Sequence, residues 1–197
     1  MAACCLLSAG SIWADINPKP FVVPELKTWT GAEGQTTLSG RIIVKSPKAM
    51  TVANALIADL KEMSGTNLTV VKGAAKPGDI VLSLKNDKKL GQEGYVMNIG
   101  STVELSAATE RGLFWATRTL LQLNEQNKNG LPKGKTVDVP EYKLRGFMID
   151  CGRKFIPMNY LRNLTKIMAY YKMNTLQIHL NDNGFRQYFG NDWNKTQ

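Results

Sequence analysis

The stretch that most constrains the fold runs over residues 145–182, where two short apolar runs flank an amphipathic helical pattern. The runs at 146–149 and 175–178 are typical of short buried strands. Pro157 stands where the helix is expected to begin, because a first-turn residue needs no N–H partner. Asn174 is expected to end the helix in the left-handed conformation. A strand–helix–strand segment of this length predicts a parallel βαβ unit. The predicted buried stripe of the helix consists of Leu161, Leu164, Ile167, Met168 and Tyr171.

Charged or titratable residues follow both predicted strands of this unit. Asp150 and Arg153 come after the first strand, and His179 and Asp182 come after the second. The carboxyl ends of parallel strands meet at one edge of the sheet, and α/β enzymes build their sites there. These four residues are therefore the candidate site residues of the chain.

Residues 15–141 predict a small α+β domain that precedes the βαβ unit. Amphipathic helices are expected over 50–63, with Gly65 as the stop, and over 109–126. Expected strands lie at 41–44, 68–71, 80–84, 95–99 and 103–106, the last two forming a hairpin. The remaining segments are an extended leader over 15–40, a polar break over 127–135 and a linker strand over 136–142. Residues 41–126 contain no convincing nucleophile, metal cluster or carboxylate pair, so this domain is expected to carry no chemistry.

The net charge of +9 and the pI near 9.5 invite a nucleic-acid interpretation. The basic residues are scattered, however, and no dense basic run is interleaved with aromatic residues, which favours a solvated basic surface. One histidine and three cysteines exclude the common Cys/His zinc patterns. We therefore expect no nucleic-acid partner, no metal and no cofactor.

Residues 1–14 form a short apolar run rich in small side chains, too short to span a bilayer. The run resembles the hydrophobic region and cleavage end of a secretory signal, although a basic start is missing. The first four residues also faintly resemble a lipoprotein cleavage box. We expect export to the periplasm or the cell exterior, with a cleaved signal favoured over a lipid anchor.

Residues 145–182 resemble the start of the catalytic barrel of glycoside hydrolase family 20, the β-N-acetylhexosaminidases. The family pattern is R-G-x-x-x-D-x-x-R-x-F/Y-x-P, followed by M-A-x-x-K-x-N-x-L-x-x-H-L-x-D, and the chain matches it at nearly every fixed position. Upstream, Glu93-Gly94-Tyr95 and the run over 107–123 are similar to the α+β domain that precedes this barrel. The resemblance implies a (β/α)8 barrel acting on terminal N-acetylglucosamine or N-acetylgalactosamine.

The resemblance also implies roles for the four candidate residues in binding substrate. Arg153 would grip hydroxyls of the non-reducing sugar, since a guanidinium holds two vicinal hydroxyls with fixed donors. Asp150 would orient that arginine or accept from the sugar, and His179 and Asp182 would support the same pocket. Simpler interpretations remain open: Arg153 as a surface partner of Asp150, His179 as a satisfied half-buried side chain, and Asp182 as a turn cap.

The resemblance implies substrate-assisted chemistry, in which the acetamido oxygen of the sugar attacks the anomeric carbon. The aspartate of an Asp-Glu pair stabilises the resulting ring, and the glutamate protonates the leaving oxygen. The chain has no Asp-Glu step after residue 150, and it has Asn183-Gly184-Phe185 where many members carry a further carboxylate. An eight-stranded barrel needs about 250 residues, whereas residues 142–197 hold about two repeats. We therefore expect a fragment, an α+β domain with the first βαβ unit of a truncated TIM barrel, which has no catalytic residues of its own and is inactive alone.

Two other functions remain open from the sequence. One is a different barrel glycosidase with a similar leading domain, such as an α-glucuronidase or an enzyme acting on N-acetylglucosaminyl proteins. The other is a non-catalytic carbohydrate-binding module. An Asp-Glu pair further along the reading frame would favour the hexosaminidase, whereas sugar binding without cleavage would favour the module.

Overall fold

The computed structural model of the protein describes residues 16–152 and 154–180. The N-terminal part contains the strands β1 (Thr30–Thr36), β2 (Arg41–Val44), β3 (Thr69–Val70), β4 (Ile80–Leu84), β5 (Tyr95–Ile99), β6 (Val103–Ala107) and β7 (Leu131–Asp138). Its helices are α1 (Met50–Ser64) and α2 (Glu110–Gln126), and short 3-10 turns cover Pro47–Ala49 and Lys88–Leu90. The C-terminal part consists of β8 (Gly146–Asp150), α3 (Met158–Tyr170) and β9 (Thr175–His179). Within the described ranges, no helix is long and apolar enough to cross a membrane.

The first seven strands form one mixed sheet in the order β1-β7-β5-β6-β4-β2-β3. Strands β2, β3, β4 and β6 pair in parallel, whereas β5 runs antiparallel to both β6 and β7. The predicted hairpin of β5 and β6 is confirmed by its register, which pairs Tyr95 with Ala107 and Ile99 with Val103. Helix α2 packs on β4, β5 and β6, and it also contacts α1 and α3. Helix α2 therefore lies between the large sheet and the C-terminal part.

Local sequence explains both helices of this domain. Val52, Ala53, Leu56 and Leu60 recur at helical spacing along α1, and all four are buried. Gly65 ends the helix with φ +69°, as predicted, because glycine adopts the left-handed conformation without a Cβ penalty. In α2 the hydroxyl of Thr109 accepts a hydrogen bond from the Gly112 N–H at 3.1 Å and caps the helix start.

Two strands of the sheet differ from the prediction. Strand β1 falls within the expected leader, and β7 begins at Leu131 inside the expected polar break, so both predictions are wrong there. The last part of β7, residues 136–138, lies in the predicted linker strand over 136–142, which is confirmed for these residues. Neither strand shows an apolar alternation: β1 is largely exposed, and β7 buries a glycine, a threonine and an aspartate beside one leucine. Gly134 is buried because the Trp29 ring packs on it and occupies the space where a Cβ would stand.

The predicted parallel βαβ unit is confirmed in the C-terminal part, where β8 and β9 pair from Gly146↔Thr175 to Asp150↔His179. The predicted buried stripe of α3 is largely wrong: Met168 is buried, Leu161 and Leu164 are half-buried, and Ile167 and Tyr171 are exposed. The physical reason is that the two-stranded sheet is too small to cover the whole helix face.

The end of α3 also differs from the prediction. The helix stops at Tyr170, and Lys172 instead of Asn174 takes the left-handed conformation, with φ +57°. Asn174 keeps its side chain for hydrogen bonds to the start of β8. A lysine at positive φ is uncommon and costs about 1–2 kcal/mol of backbone strain, so surrounding contacts must hold it in place.

Candidate functional site

The pairing of β8 with β9 brings two of the four predicted site residues together. Asp150 and His179 are in register as the last residues of their strands, and both side chains are half-buried. One residue further, the Cys151 N–H donates to the His179 carbonyl at 2.8 Å and extends the ladder beyond the strand ends. A carboxylate and an imidazole thus lie side by side at the carboxyl edge of the sheet, where they can accept from and donate to sugar hydroxyls.

The turn after β8 is held by the Asp150 carboxylate itself. Asp150 Oδ1 accepts a hydrogen bond from the Gly152 N–H at 2.8 Å. This bond fixes the direction in which the chain leaves the strand, towards position 153. Arg153 and Asp182 lie outside the described residues, so their predicted contacts with sugar stay predictions.

A second cluster of charged side chains lies near the opposite, N-terminal ends of β8 and β9. Lys172, only 6% exposed, donates from Nζ to the Tyr95 hydroxyl at 2.8 Å and to Asp138 Oδ2 at 3.2 Å. Tyr95 and Asp138 are cross-strand neighbours on β5 and β7, and the Tyr95 hydroxyl donates to Asp138 Oδ2 at 2.8 Å. A lysine of the C-terminal part therefore closes a buried triad with two residues of the N-terminal domain.

Burial shapes the proton affinities of this triad. Desolvation lowers the pKa of the Lys172 ammonium, and the Asp138 carboxylate works against that change. Desolvation also raises the pKa of Tyr95 well above its usual value, with the charge of Asp138 adding to the effect. The tyrosine therefore keeps its proton and donates it in the hydrogen bond to Asp138 Oδ2.

Arg145 forms a third set of contacts beside this triad. Its guanidinium pairs with Glu93 at 2.7 Å, and its Nε and Nη1 donate to the carbonyls of Lys172 and Tyr142, each at 2.7 Å. Asn174 donates to Glu93 Oε1 at 3.3 Å. Burial alone would raise the pKa of Glu93, but the hydrogen bonds from Arg145 and Asn174 lower it below its usual value.

These contacts line a cleft between the N-terminal domain and the βαβ unit. Its walls combine aromatic and charged side chains, among them Tyr95, Trp115, Tyr142, Glu93 and Arg145. Of the predicted site residues that the structure describes, Asp150 and His179, neither lines it. Among the described residues, no three His, Cys, Asp or Glu side chains come together as a metal site.

The sequence pattern did not predict that Lys172 and Asn174 contact the N-terminal domain. One signal for these contacts is present in the sequence, because both polar residues lie between an apolar helix and an apolar strand. Polar side chains at such a point need partners, and Glu93 and Asp138 are acidic residues beside buried strands.

Comparison with known proteins assigns both parts of the chain to one family. The family model "Glycosyl hydrolase family 20, domain 2" matches residues 19–139, and the model "Glycosyl hydrolase family 20, catalytic domain" matches residues 142–190. The two matches cover the large mixed sheet and the βαβ unit respectively.

Individual relatives agree with this assignment. The chain is 32% identical over 169 residues to a lacto-N-biosidase of Bifidobacterium bifidum, covering 83% of this chain and 15% of that protein. It is 30% identical over 174 residues to a β-N-acetylhexosaminidase of Cellulomonas fimi, covering 85% and 34%. The solved structure of Streptomyces plicatus N-acetyl-β-hexosaminidase in complex with Thio-NAglucal matches 86% of this chain and 36% of its own, with a TM-score of 0.72 and 29% identity.

The chain spans about a third or less of the length of these relatives. The likeness to the Streptomyces structure extends over 86% of this chain. The fold is therefore an α+β domain followed by the start of a barrel, as the sequence predicts.

Proposed function

Because the chain belongs to glycosyl hydrolase family 20, we propose that it forms part of a β-N-acetylhexosaminidase, which hydrolyses terminal non-reducing N-acetylhexosamine residues of glycans. The observation that carries the proposal is the in-register placement of Asp150 and His179 at the carboxyl edge of β8 and β9. In barrel enzymes this edge carries the substrate site, whereas the opposite edge serves stability.

The proposed contribution of this chain is substrate binding. Arg153 would hold two sugar hydroxyls with its guanidinium fork. Asp150, whose carboxylate already fixes the following turn, would orient that arginine or accept from the sugar. His179 and Asp182 would support the same pocket. The names of the relatives, β-hexosaminidases from several bacteria among them, support N-acetylhexosamine as the substrate class.

The proposed reaction is substrate-assisted and retaining. The acetamido oxygen of the substrate attacks the anomeric carbon, a general acid protonates the leaving oxygen, and water later opens the cyclic intermediate. No Asp-Glu step follows residue 150 in these 197 residues. We therefore propose that a polypeptide of these residues binds sugar and does not turn it over.

The test compares two polypeptides on chromogenic β-N-acetylglucosaminide and β-N-acetylgalactosaminide. One is the product of the complete reading frame, and the other ends at Gln197. A chromogenic lacto-N-bioside belongs in the panel, since one relative is a lacto-N-biosidase. Hydrolysis of an N-acetylhexosaminide by the complete product, with none by the polypeptide ending at Gln197, supports the proposal.

Two results would contradict the proposed activity. Sugar binding without hydrolysis by the complete product would favour the non-catalytic module. Hydrolysis of glucuronides in place of N-acetylhexosaminides would favour the other barrel glycosidase. Measuring both products on the same substrates, with a chromogenic α-glucuronide added to the panel, separates these outcomes.

Export of the protein is also a proposal. Its basis is the signal-like composition of residues 1–14, which lie outside the described residues. Cell fractionation with N-terminal sequencing of the mature protein tests it: a new N-terminus near residue 14 in an exported fraction is expected, and an intact Met1 inside the cell would contradict it.

A further inference from the structure

The N-terminal ends of β8 and β9 are joined by a reciprocal pair of hydrogen bonds. The Asn174 N–H donates to the Arg145 carbonyl at 2.8 Å, and the Arg145 N–H donates to Asn174 Oδ1 at 3.0 Å. The Asn174 side-chain amide also donates to the Lys143 carbonyl at 2.8 Å. Both residues stand directly before their strands. They therefore hold the two strands at a defined offset before the ladder begins.

That offset decides the geometry at the other end of the ladder. With Gly146 opposite Thr175, the pairing continues without a bulge to Asp150 opposite His179. A slip of one residue would turn every side chain of one strand to the opposite face. Asp150 and His179 would then lie on different faces and could not serve one pocket.

Arg145 and Asn174, which hold this offset, are themselves bound by side chains of the N-terminal domain. Glu93 pairs with Arg145 at 2.7 Å and accepts from Asn174 at 3.3 Å. Asp138 pairs with Lys172, which lies in the turn that leads from α3 into β9. All three contacts join the βαβ unit to a domain without apparent chemistry of its own.

We propose that Arg145, Lys172 and Asn174 form a register lock, through which the N-terminal domain positions Asp150 and His179 for the proposed sugar site. The three are positioning residues, since they lie at the ends of the strands away from that site. The inference rests on the proposed function for its consequence in catalysis, whereas the lock itself is a property of the fold.

Burial and charge make this junction different from an ordinary contact between domains. Such interfaces are usually polar and permit relative motion. Here the Lys172 and Asp138 side chains are 7% and 12% exposed, so an ion pair that is largely screened from solvent joins the two parts of the chain. The contrast is Lys166 with Glu62, which joins α3 to α1 but leaves both side chains more than half exposed.

The left-handed turn at Lys172 supports the same inference. Glycine would adopt φ +57° without strain, yet it has no side chain to reach Tyr95 and Asp138. The lysine thus combines a strained backbone with a charged contact. That combination ties the path of the chain into β9 to the N-terminal domain.

Hydrogen exchange of the unmodified 197-residue protein tests the lock directly. The Asn174 and Cys151 amides report the two ends of the strand pair, since they donate to the Arg145 and His179 carbonyls, each at 2.8 Å. A lock that opens as one unit gives both amides protection factors within about threefold of each other. Exchange of Cys151 about 100-fold faster than Asn174 would show that the far end frays independently, and would overturn the inference.

A variant then tests whether the junction controls the far end. Asn174→Ala is expected to lower the protection of the Cys151 amide at least about tenfold. Asn163→Ala, at an exposed position of α3, is the matched control and should leave it unchanged. If Asn174→Ala does not fold, the comparison of the Asn174 and Cys151 amides in the unmodified protein still tests the register lock. Equal protection of the Cys151 amide in the two folded variants would overturn the inference.

The consequence for catalysis is measured on the product of the complete reading frame. At a temperature where circular dichroism shows a fully folded protein, Asn174→Ala should lower kcat for an N-acetylglucosaminide about tenfold, because the groups at the strand ends are displaced. A residue that only stabilises the fold would leave kcat of the folded enzyme unchanged. If Asn174→Ala loses exchange protection but the parent enzyme has no activity, the proposed function is contradicted and the register lock is not. An active parent with an unchanged kcat in the variant would contradict the positioning role.

Discussion

The buried pair of Lys172 and Asp138 allows a sharp quantitative prediction. Lys172→Met keeps most of the side-chain length and the same backbone strain at positive φ, so it removes little besides the ammonium group. The Asp138 carboxylate would then remain buried with the Tyr95 hydroxyl and the Lys27 N–H as its polar contacts. Removing one partner of a buried ion pair typically costs about 3–5 kcal/mol, and we expect a loss in this range.

A double-mutant cycle isolates the interaction from other effects of the substitutions. The free energy of unfolding is measured in urea for the parent, Lys172→Met, Asp138→Asn and the double variant. The double variant should be more stable than the sum of the single losses predicts, by about 2 kcal/mol or more, because it contains no unpaired buried charge.

The Lys166–Glu62 pair supplies a matched control within the same protein. It also connects α3 to the N-terminal domain, at 2.8 Å, but with side chains 58% and 62% exposed. The cycle of Lys166→Met with Glu62→Gln should give a coupling of about 0.5 kcal/mol or less, since exposed ion pairs contribute little. Equal couplings in the two cycles, or a cost below about 1 kcal/mol for Lys172→Met, would refute the reasoning.

Two further predictions concern the same junction. The pKa of Glu93 is lowered in the folded protein, so its contribution to stability is complete above the ordinary value of 4.5 and is lost as the pH falls through the lower folded value. Urea unfolding between about pH 6 and pH 3 should therefore show a shallower acid loss of stability in Glu93→Gln than in the parent. Parallel curves for the two proteins would contradict the assignment. Gln122→Leu should cost about 2–4 kcal/mol, because the buried amide of Gln122 serves three backbone groups, among them the Tyr170 carbonyl. Gln126→Leu removes one exposed hydrogen bond, to the Phe21 carbonyl, and should cost less than about 1 kcal/mol in the same urea assay. Similar losses for the two variants would contradict a special role for the buried amide of Gln122.

Apolar periodicity was sufficient to predict much of this fold. The helices of the N-terminal domain and the β5–β6 hairpin follow from helical or alternating spacing of buried side chains. The βαβ unit follows from two short apolar runs on either side of a helical pattern. Strand β1 and the first part of β7, residues 131–135, were not predicted, because backbone pairing and the packing of Trp29 on Gly134 hold them and neither leaves an apolar alternation in the sequence.

The candidate site was predictable only in part, for a related reason. Asp150 and His179 follow apolar strands, so their shared edge follows from the parallel pairing. The partners of Lys172 and Arg145 come from distant segments, Asp138 and Glu93, whose proximity depends on how the two parts of the chain pack. No local spacing records that packing, and a buried ion pair of this kind becomes visible only in three dimensions.

The most direct test of the central claim is the effect of Arg153→Ala on kcat/KM for a chromogenic β-N-acetylglucosaminide, measured with the product of the complete reading frame. Loss of two charge-assisted hydrogen bonds to sugar hydroxyls should cost about 3 kcal/mol or more, a fall of about 100-fold or greater. Arg162→Ala, at an exposed position of α3, should leave kcat/KM unchanged. A fall of at least this size in Arg153→Ala alone is the predicted result. Near parental values for Arg153→Ala would contradict a sugar site at the carboxyl edge of β8 and β9.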